Sequence, residues 1–458
     1  MALTIAFVIT FWAGYLIYSK YKPQPVLFFS GMILMYIGVL LGYGEIFAPG
    51  KGTGLVLFDA FDFIRSTFSS TVAGLGLNIM FVGGFARYMD KIGASRALVR
   101  LTIKPLLALK SPYIVLSATW ITGMIIGLCI NSASGLAMLL MVTIYPILIS
   151  LGVSRLSATA AVASTLCFDW SPSDVGTILA AETAGVDPVV YWSHYQVPIV
   201  ITAFVVVGIL HYLTQKYMDK RDGHIVKPID LEVPVDHEKS EEAPSWYAIL
   251  PVVPLALILI FSSLWITWIK VNIVSAMIVG LVVGAICEFI RWHDGKKVVG
   301  DIQNFFDGLG MQMANVVTIV VAGRVFAKGL MTMGAIDTLI TSSQGLGLGA
   351  MFMMIVMVTI ISVSAVVMGS GNAPFFAFAA LTPAVAAKTG TASVLFILPM
   401  HFAASIARTV SPITAVIVVA SGMAGISPFD LVKRTAIPMC GAMIVNVGVT
   451  ILYHAIGW

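Results

Sequence analysis

The chain has 458 residues, of which 59% are hydrophobic and only 10% charged, with a formal net charge of +4. Soluble domains carry about 25% charged residues, so this composition excludes a solvated globule and points to a chain that lies within a bilayer. The positive excess is spread over connecting loops, which speaks of membrane topology and against a nucleic-acid partner.

Apolar runs long enough to cross a hydrocarbon core of about 30 Å occur at 2–18, 26–44, 195–213, 247–268, 272–290, 350–368 and 435–455. The first has no basic region before it, and Lys20 and Lys22 follow it, so it reads as a retained helix rather than a secretory signal. Segment 87–110 then carries Arg87, Lys91, Arg96, Arg100, Lys104 and Lys110. Next, Asn131, Ser132, Ala133, Ser134 and Gly135 fall between apolar segments 113–130 and 136–150 with no charge to mark a surface loop. Non-helical backbone at membrane depth is tolerated only inside protein or beside a water-filled cavity, so this run reads as the tip of a re-entrant hairpin. Small-residue helix packing is the plainer alternative. Asp169-Trp170-Ser171-Pro172-Ser173-Asp174 follows as a second break, where proline removes a backbone donor.

Residues 214–246 hold Pro228, Pro234, Pro244 and many charges, cannot bury a core, and read as a cytoplasmic linker. Beyond them the pattern returns. Gly369-Ser370-Gly371-Asn372-Ala373-Pro374 interrupts apolar segments 350–368 and 375–387, and Arg408-Thr409-Val410-Ser411-Pro412-Ile413-Thr414 forms the matching break. Ala133, Ala137, Ser171, Pro172, Gly185, Pro188 and Pro198 recur 240 positions later, and Phe85, Ala86, Gly93 and Ala94 recur 241 later. The chain is an internal duplication of 1–213 in 247–458.

Basic residues stay on the cytoplasmic side. Segment 328–351, the repeat partner of the basic segment 87–110, carries only Lys328. Lys20, Lys22, Lys216, Lys220, Arg221, Arg291, Lys296, Lys297, Lys433 and Arg434 fit a scheme in which the linker is inside and both termini are outside. The expected fold is therefore an all-α polytopic membrane protein of two inverted-topology repeats, with re-entrant hairpins and broken helices, as in many secondary transporters. Helices 2–44 and 247–290 are the expected scaffold, with Trp265, Trp268 and Trp292 as interfacial anchors, and about 68–213 and 308–455 the transport elements.

The candidate binding residues are those of the tips and breaks: Asn131, Ser132, Ser134, Ser171, Asp174, Ser370, Gly371, Asn372, Arg408, Thr409 and Ser411. A tip offers free N–H groups and hydroxyls to an anion. Arg408 suits a carboxylate, which its guanidinium grips with two parallel hydrogen bonds, or else pairs internally with Asp169 or Asp174. Asp169 and Asp174 are candidates for a coupling sodium ion or proton; Asp174 equally serves to neutralise Arg408. Cys129, Cys167, Cys287 and Cys440 are scattered and read as free thiols. The seven histidines show no metal-ligand spacing, and His401 reads as packed or hydrogen-bonded. Met351, Met353, Met354 and Met357 read as adaptable packing. Gly345-Leu-Gly-Leu-Gly lacks the strand of a nucleotide loop, so no cofactor and no ATP drive are expected. No pattern of an intramembrane enzyme is present.

The runs Gly-Ser-Gly-Asn-Ala-Pro-Phe-Phe-Ala-Phe at 369–378 and Arg-Thr-Val-Ser-Pro at 408–412 resemble the anaerobic four-carbon dicarboxylate carriers of the DcuC family. So do Ser-Ala-Ser-Gly-Leu at 132–136, Pro-Ser-Asp-Val at 172–175, Ile-Ser-Pro-Phe at 426–429 and Val-Lys-Arg-Thr at 432–435. The resemblance implies exchange of fumarate, malate or aspartate for succinate, or succinate efflux with cations, in a bacterial inner membrane. It also implies a homodimeric elevator in which a scaffold holds the dimer and a transport domain moves. Ser132, Ser134, Asp174, Ser370, Asn372, Arg408, Thr409 and Ser411 match the family pattern, whereas Asp169 and Glu182 depart from it. A cation-proton antiporter, or a carrier of other small carboxylates or amino acids on the same fold, is the alternative.

Overall fold

A computed structural model describes residues 2–19, 21–109, 111–226, 243–335 and 349–456, and among these the chain is helical with no strand. The middle of the linker with Pro228 and Pro234, most of loop 328–351, the glycine run at 345–348, His237, Lys20 and Lys110 lie outside the described residues.

Among the described residues, seven helices are long and apolar enough to cross a bilayer: Pro23–Leu40, Val56–Lys91, Pro188–Arg221, Ile273–Trp292, Gly295–Thr332, Ala350–Met368 and Pro428–Ala455. Five coincide with expected runs, with ends that differ by several residues. The run at 2–18 is the shorter helix Ala2–Tyr18, and that at 247–268 stops as helix at Ile260. The other two long helices, Val56–Lys91 and Gly295–Thr332, escape a search for apolar runs because they are amphipathic, with Asp59, Asp62, Arg65, Asp301 and Asp307 on their polar faces. The boundaries drawn at 68 and 308 run through the middle of these continuous helices.

Each of the two contains one wide π turn, at Val72–Gly76 and Met313–Val317, 241 positions apart. They pack antiparallel. Thr71 meets Arg324, while the space beside Gly76 is taken by Val317, beside Gly83 by Gln312, and beside Gly84 by Phe305. The offset of 241 converts the Thr71–Arg324 contact into Gly83–Gln312 and carries Gly76 onto Val317. The pair is therefore related by a local two-fold axis through its π turns, the arrangement two oppositely directed copies of one element must adopt.

Glycines set how closely these helices meet their neighbours, because without a hydrophobic drive inside lipid, helices associate through close backbone packing. A Cβ at Gly31 of Pro23–Leu40 would fall 2.7 Å from the Phe326 backbone, and one at Gly329 would fall 2.6 Å from the Gly31 carbonyl. Gly280 and Gly284 of Ile273–Trp292 give the same access to Phe85 and Tyr88. Lys91 and Lys297, from basic clusters of different halves, meet at Asp301, 3.6 and 3.1 Å away.

Two hairpins and two broken helices complete the part of the fold that builds the site. The first hairpin is Pro112–Ile126 and Ala133–Thr143; the second is Ala350–Met368 and Asn372–Phe378. The first broken helix is Arg155–Ala163 and Val175–Ala184; the second is Val394–Arg408 and Ala415–Ala424. Leu136 and Leu140 of the first hairpin share a core with Val416, Ile417 and Ala420 of the second broken helix, so each half grips the other.

Pro188–Arg221 and Pro428–Ala455 brace this body. Pro438 cannot donate to the carbonyl of Arg434, and Gln215 Nε2 donates to that carbonyl at 2.9 Å instead. Arg434, expected as a loop cation on the cytoplasmic face, is 2% exposed. It pairs with Asp219 at 2.6 Å and with Asp222 at 2.7 Å. Asp219 also accepts from Ser154, Ser157 and Tyr113 at 2.6, 2.8 and 3.0 Å. The helix is longer than its apolar run, so its basic first turns are drawn into protein.

Candidate functional site

In the first half, Pro112–Ile126 ends at Gly127, and the chain turns before Ser132 restarts the helix by accepting from the Gly135 N–H at 3.2 Å. The break spans 164–174 and ends when Asp174 Oδ2 accepts from the N–H groups of Gly176 and Thr177 at 2.8 and 3.1 Å. Short polar side chains do this because they satisfy the orphan donors of a first helical turn. Tip and break are joined: Ser171 Oγ donates to the Leu128 carbonyl at 2.7 Å, and Asn131 Nδ2 donates to the Ser173 carbonyl and hydroxyl, both at 3.3 Å.

The second half repeats the device. Gly369 ends the first arm at φ +65, where a side chain would also collide with Ile413, and Ser370 Oγ accepts from Ala373 N–H at 3.4 Å. Ser411 Oγ donates to the Val366 carbonyl at 2.6 Å, the counterpart of Ser171 on Leu128. Gln196 Nε2 donates to the Asp169 carbonyl at 3.3 Å and Thr435 Oγ1 to the Thr409 carbonyl at 2.9 Å, so each break also has an exposed carbonyl covered by the following long helix.

The halves meet at Arg408, which is 8% exposed. Its Nη2 donates to Asp169 Oδ1 at 2.7 Å and to the Leu166 carbonyl at 2.8 Å, while Ser405 Oγ donates to Asp169 Oδ2 at 2.6 Å. The internal pair weighed for Arg408 thus forms with Asp169, not Asp174. Arg408 Nε is buried without a hydrogen-bond partner, and Gly371 of the second tip lies against its Cδ.

Beside it, His401 stacks on Phe375 with ring centroids 4.8 Å apart and approaches Gln196 Nε2 at 3.3 Å through Nδ1. Its Nε2 lies 3.7 Å from Asp174 Oδ2 and makes no hydrogen bond. Asp169, Asp174 and His401 place three donor atoms within 4.8 Å of one another. Three of the four carboxylate oxygens of this pair of acids already serve Arg408, Ser405 and a helix cap.

The candidates therefore separate into two groups. Asp169, Asp174, Arg408 and Gly371 converge, and the hydroxyls of Ser171, Ser411 and Thr409 are committed to backbone carbonyls, the last to Ile406 at 2.7 Å. Ser132 and Asn372 are exposed at the two tips, and Asn131, Ser134 and Ser370 are half-buried beside them. Ser405, Gln196 and the closeness of His401 to Asp174 were not anticipated. His401, Ser405 and Arg408 stand at i, i+4 and i+7 on one face of an otherwise apolar helix, a polar stripe legible in the sequence. Gln196 lies in a π turn that no local pattern marks.

The profile of the DcuC family, described as a C4-dicarboxylate anaerobic carrier, matches residues 1–455. A Vibrio cholerae protein named "Probable anaerobic C4-dicarboxylate transporter DcuC" is 34% identical over 99% of this chain and 98% of its own length. The "Anaerobic C4-dicarboxylate transporter DcuC" of Escherichia coli K12 is 33% identical over 96% of this chain and 93% of its own. Among solved structures, the Alcanivorax borkumensis YdaH transporter superposes with a TM-score of 0.62 at 14% identity, covering 96% of this chain and 99% of that one. Neisseria gonorrhoeae MtrF, titled as illuminating a class of antimetabolite efflux pumps, gives 0.63 at 12% identity over 94% and 95%. These two share the fold.

Proposed function

The chain belongs to the DcuC family of C4-dicarboxylate anaerobic carriers, which are multi-pass membrane transporters and not enzymes, and we propose that it carries succinate, fumarate, malate and aspartate across a bacterial inner membrane. It does so by exchange, by cation-coupled succinate efflux, or by both. The observation that carries this reading is Arg408: a guanidinium within the membrane body costs about 2.5–3.5 kcal/mol on insertion scales, yet this one leaves Nε without a partner. One carboxylate of the substrate engages Arg408, and the other meets the polar groups of the tips around Ser132 and Asn372. Two symmetry-related tips present donors from opposite sides, which is what a dianion requires.

The antiparallel packing of the two amphipathic helices supports an inverted repeat, and the meeting of Lys91 with Lys297 at Asp301 supports placing both basic clusters on the cytoplasmic face, with the termini periplasmic. The hairpins and broken helices then move as one body against the scaffold helices, in a homodimer, and expose the site alternately to each side. A proton on His401 beside Asp174 is the coupling ion that the donor set favours. The Asp169–Arg408 pair supports a second reading, cation-proton antiport, because it neutralises the arginine without any substrate.

Radiolabelled succinate uptake into liposomes, with internal fumarate, with none, and with Arg408→Ala, separates the two. Uptake only against fumarate and lost in the variant is the expected result. No uptake by folded protein under any gradient sinks the dicarboxylate reading and leaves antiport.

A further inference from the structure

The two-fold relation between Val56–Lys91 and Gly295–Thr332 is broken at one end. On one side of the axis Gly84 and Gly308 touch backbone to backbone, Gln312 fills the space over Gly83, and Arg87 Nη1 donates to Met311 Sδ at 3.1 Å. The repeat puts Val325 and Thr67 where the glycines stand, Arg324 and Thr71 in place of Gly83 and Gln312, and Lys328 and Ser70 in place of Arg87 and Met311. At this end Val325 and Thr67 replace the close glycine contact, and short hydroxyl residues stand where Gln312 and Met311 fill the space at the other. A cavity of about 410 Å³ lies here between these helices, Val175–Ala184 and the second hairpin, with Arg324, Lys328, Glu182, Thr67, Ser70 and Thr183 in its wall.

Arg324 and Lys328 are one helical turn apart and face the same space. Arg324 donates to Glu182 at 2.8 Å and to Thr71 at 3.0 Å. Among the described residues no carboxylate lies within ion-pair distance of Lys328, whose Nζ stands 5.9 Å from the Phe63 ring centroid. Two cations and one acid leave the wall with a surplus positive charge, beside the hydroxyls of Thr67 and Thr183 and an apolar surface that includes Phe63, Leu179 and Phe376. None of the tip or break residues lines it.

We propose that this cavity is a second anion site, which takes a small carboxylate on Lys328 and the hydroxyl of Thr67 before the carboxylate reaches the site at Arg408. Glu182 holds Arg324 so that it shapes the wall, while Lys328 supplies the charge a ligand answers. The sequence reading of function supplies the ligand class, and the cavity supplies the place. A carboxylate fits better than a neutral solute because only an anion neutralises the surplus charge.

The test is initial succinate uptake into fumarate-loaded liposomes by the wild type, Lys328→Gln and Lys328→Arg, across external concentrations and at low and high ionic strength. Loss of one charge-assisted contact raises the half-saturation concentration roughly tenfold in Lys328→Gln at unchanged maximal rate. Lys328→Arg restores it, and the difference shrinks at high salt. A half-saturation equal to wild type in Lys328→Gln, or a lowered maximal rate alone, overturns the site. If the wild type transports no succinate, the proposed function fails; the cavity is then judged by equilibrium dialysis of succinate against wild type and Lys328→Gln, where equal binding overturns it.

Discussion

Replacing Asp219 by alanine tests what joins the first hairpin and first broken helix to the two long bracing helices. Asp219 is fully buried and takes hydrogen bonds from Arg434, Ser154, Ser157 and Tyr113, groups that come from the first hairpin, the first broken helix and the last helix. The substitution leaves the Arg434 charge inside protein with Asp222 as its remaining ion-pair partner, and Asp222 has a side chain 40% exposed. Breaking one side of a buried pair costs about 3–5 kcal/mol, and here the surviving charge keeps only a partner that water screens. At about 2 °C per kcal/mol for a chain of this size, the apparent Tm falls by about 6–10 °C. Thermal unfolding in detergent at a fixed scan rate measures it. Asp222→Ala should lower Tm by no more than about 2 °C, since an exposed pair contributes at most about 1 kcal/mol. The double variant Asp219→Leu with Arg434→Met should recover most of the loss. An Asp219→Ala protein within about 2 °C of wild type would refute the argument.

Gln215→Leu strands the Arg434 carbonyl that Pro438 leaves without a donor, and should destabilise by about 1–3 kcal/mol; adding Pro438→Ala should return much of it, read by the same unfolding measurement. Asp169→Asn frees Arg408 from its counter-charge while keeping a partner for Ser405. Succinate should then half-saturate uptake at a lower concentration than in wild type, and a loss of uptake as complete as in Arg408→Ala would show instead that the pair itself is required.

Much of the site was legible because membrane solvent makes local exceptions conspicuous. Backbone breaks at 131–135, 169–174, 369–374 and 408–414 stand out in chains that must otherwise satisfy every peptide group internally, and all four are breaks in the structure. Duplication made them doubly visible, since Ser171 and Ser411 recur and perform the same bridge to a hairpin carbonyl. The amphipathic helices Val56–Lys91 and Gly295–Thr332 were not legible as uninterrupted apolar runs, because charged residues such as Asp59, Asp62, Arg65, Asp301 and Asp307 punctuate them. The burial of Arg434 was also hidden: a basic residue after a turn looks like a loop cation until its acid, 215 positions away, is brought to it.

By itself the sequence determined the class of solvent, the duplication, the positions where helix must fail and the lone arginine beside one failure. These follow from rules that act over a few residues, or from repetition along the chain. Only the tertiary structure decided which acid neutralises Arg408, that His401 faces Asp174, and that Arg324, Lys328 and Glu182 share the wall of one cavity. Each depends on the distance between residues of different halves, which no rule acting over a few residues of chain can set.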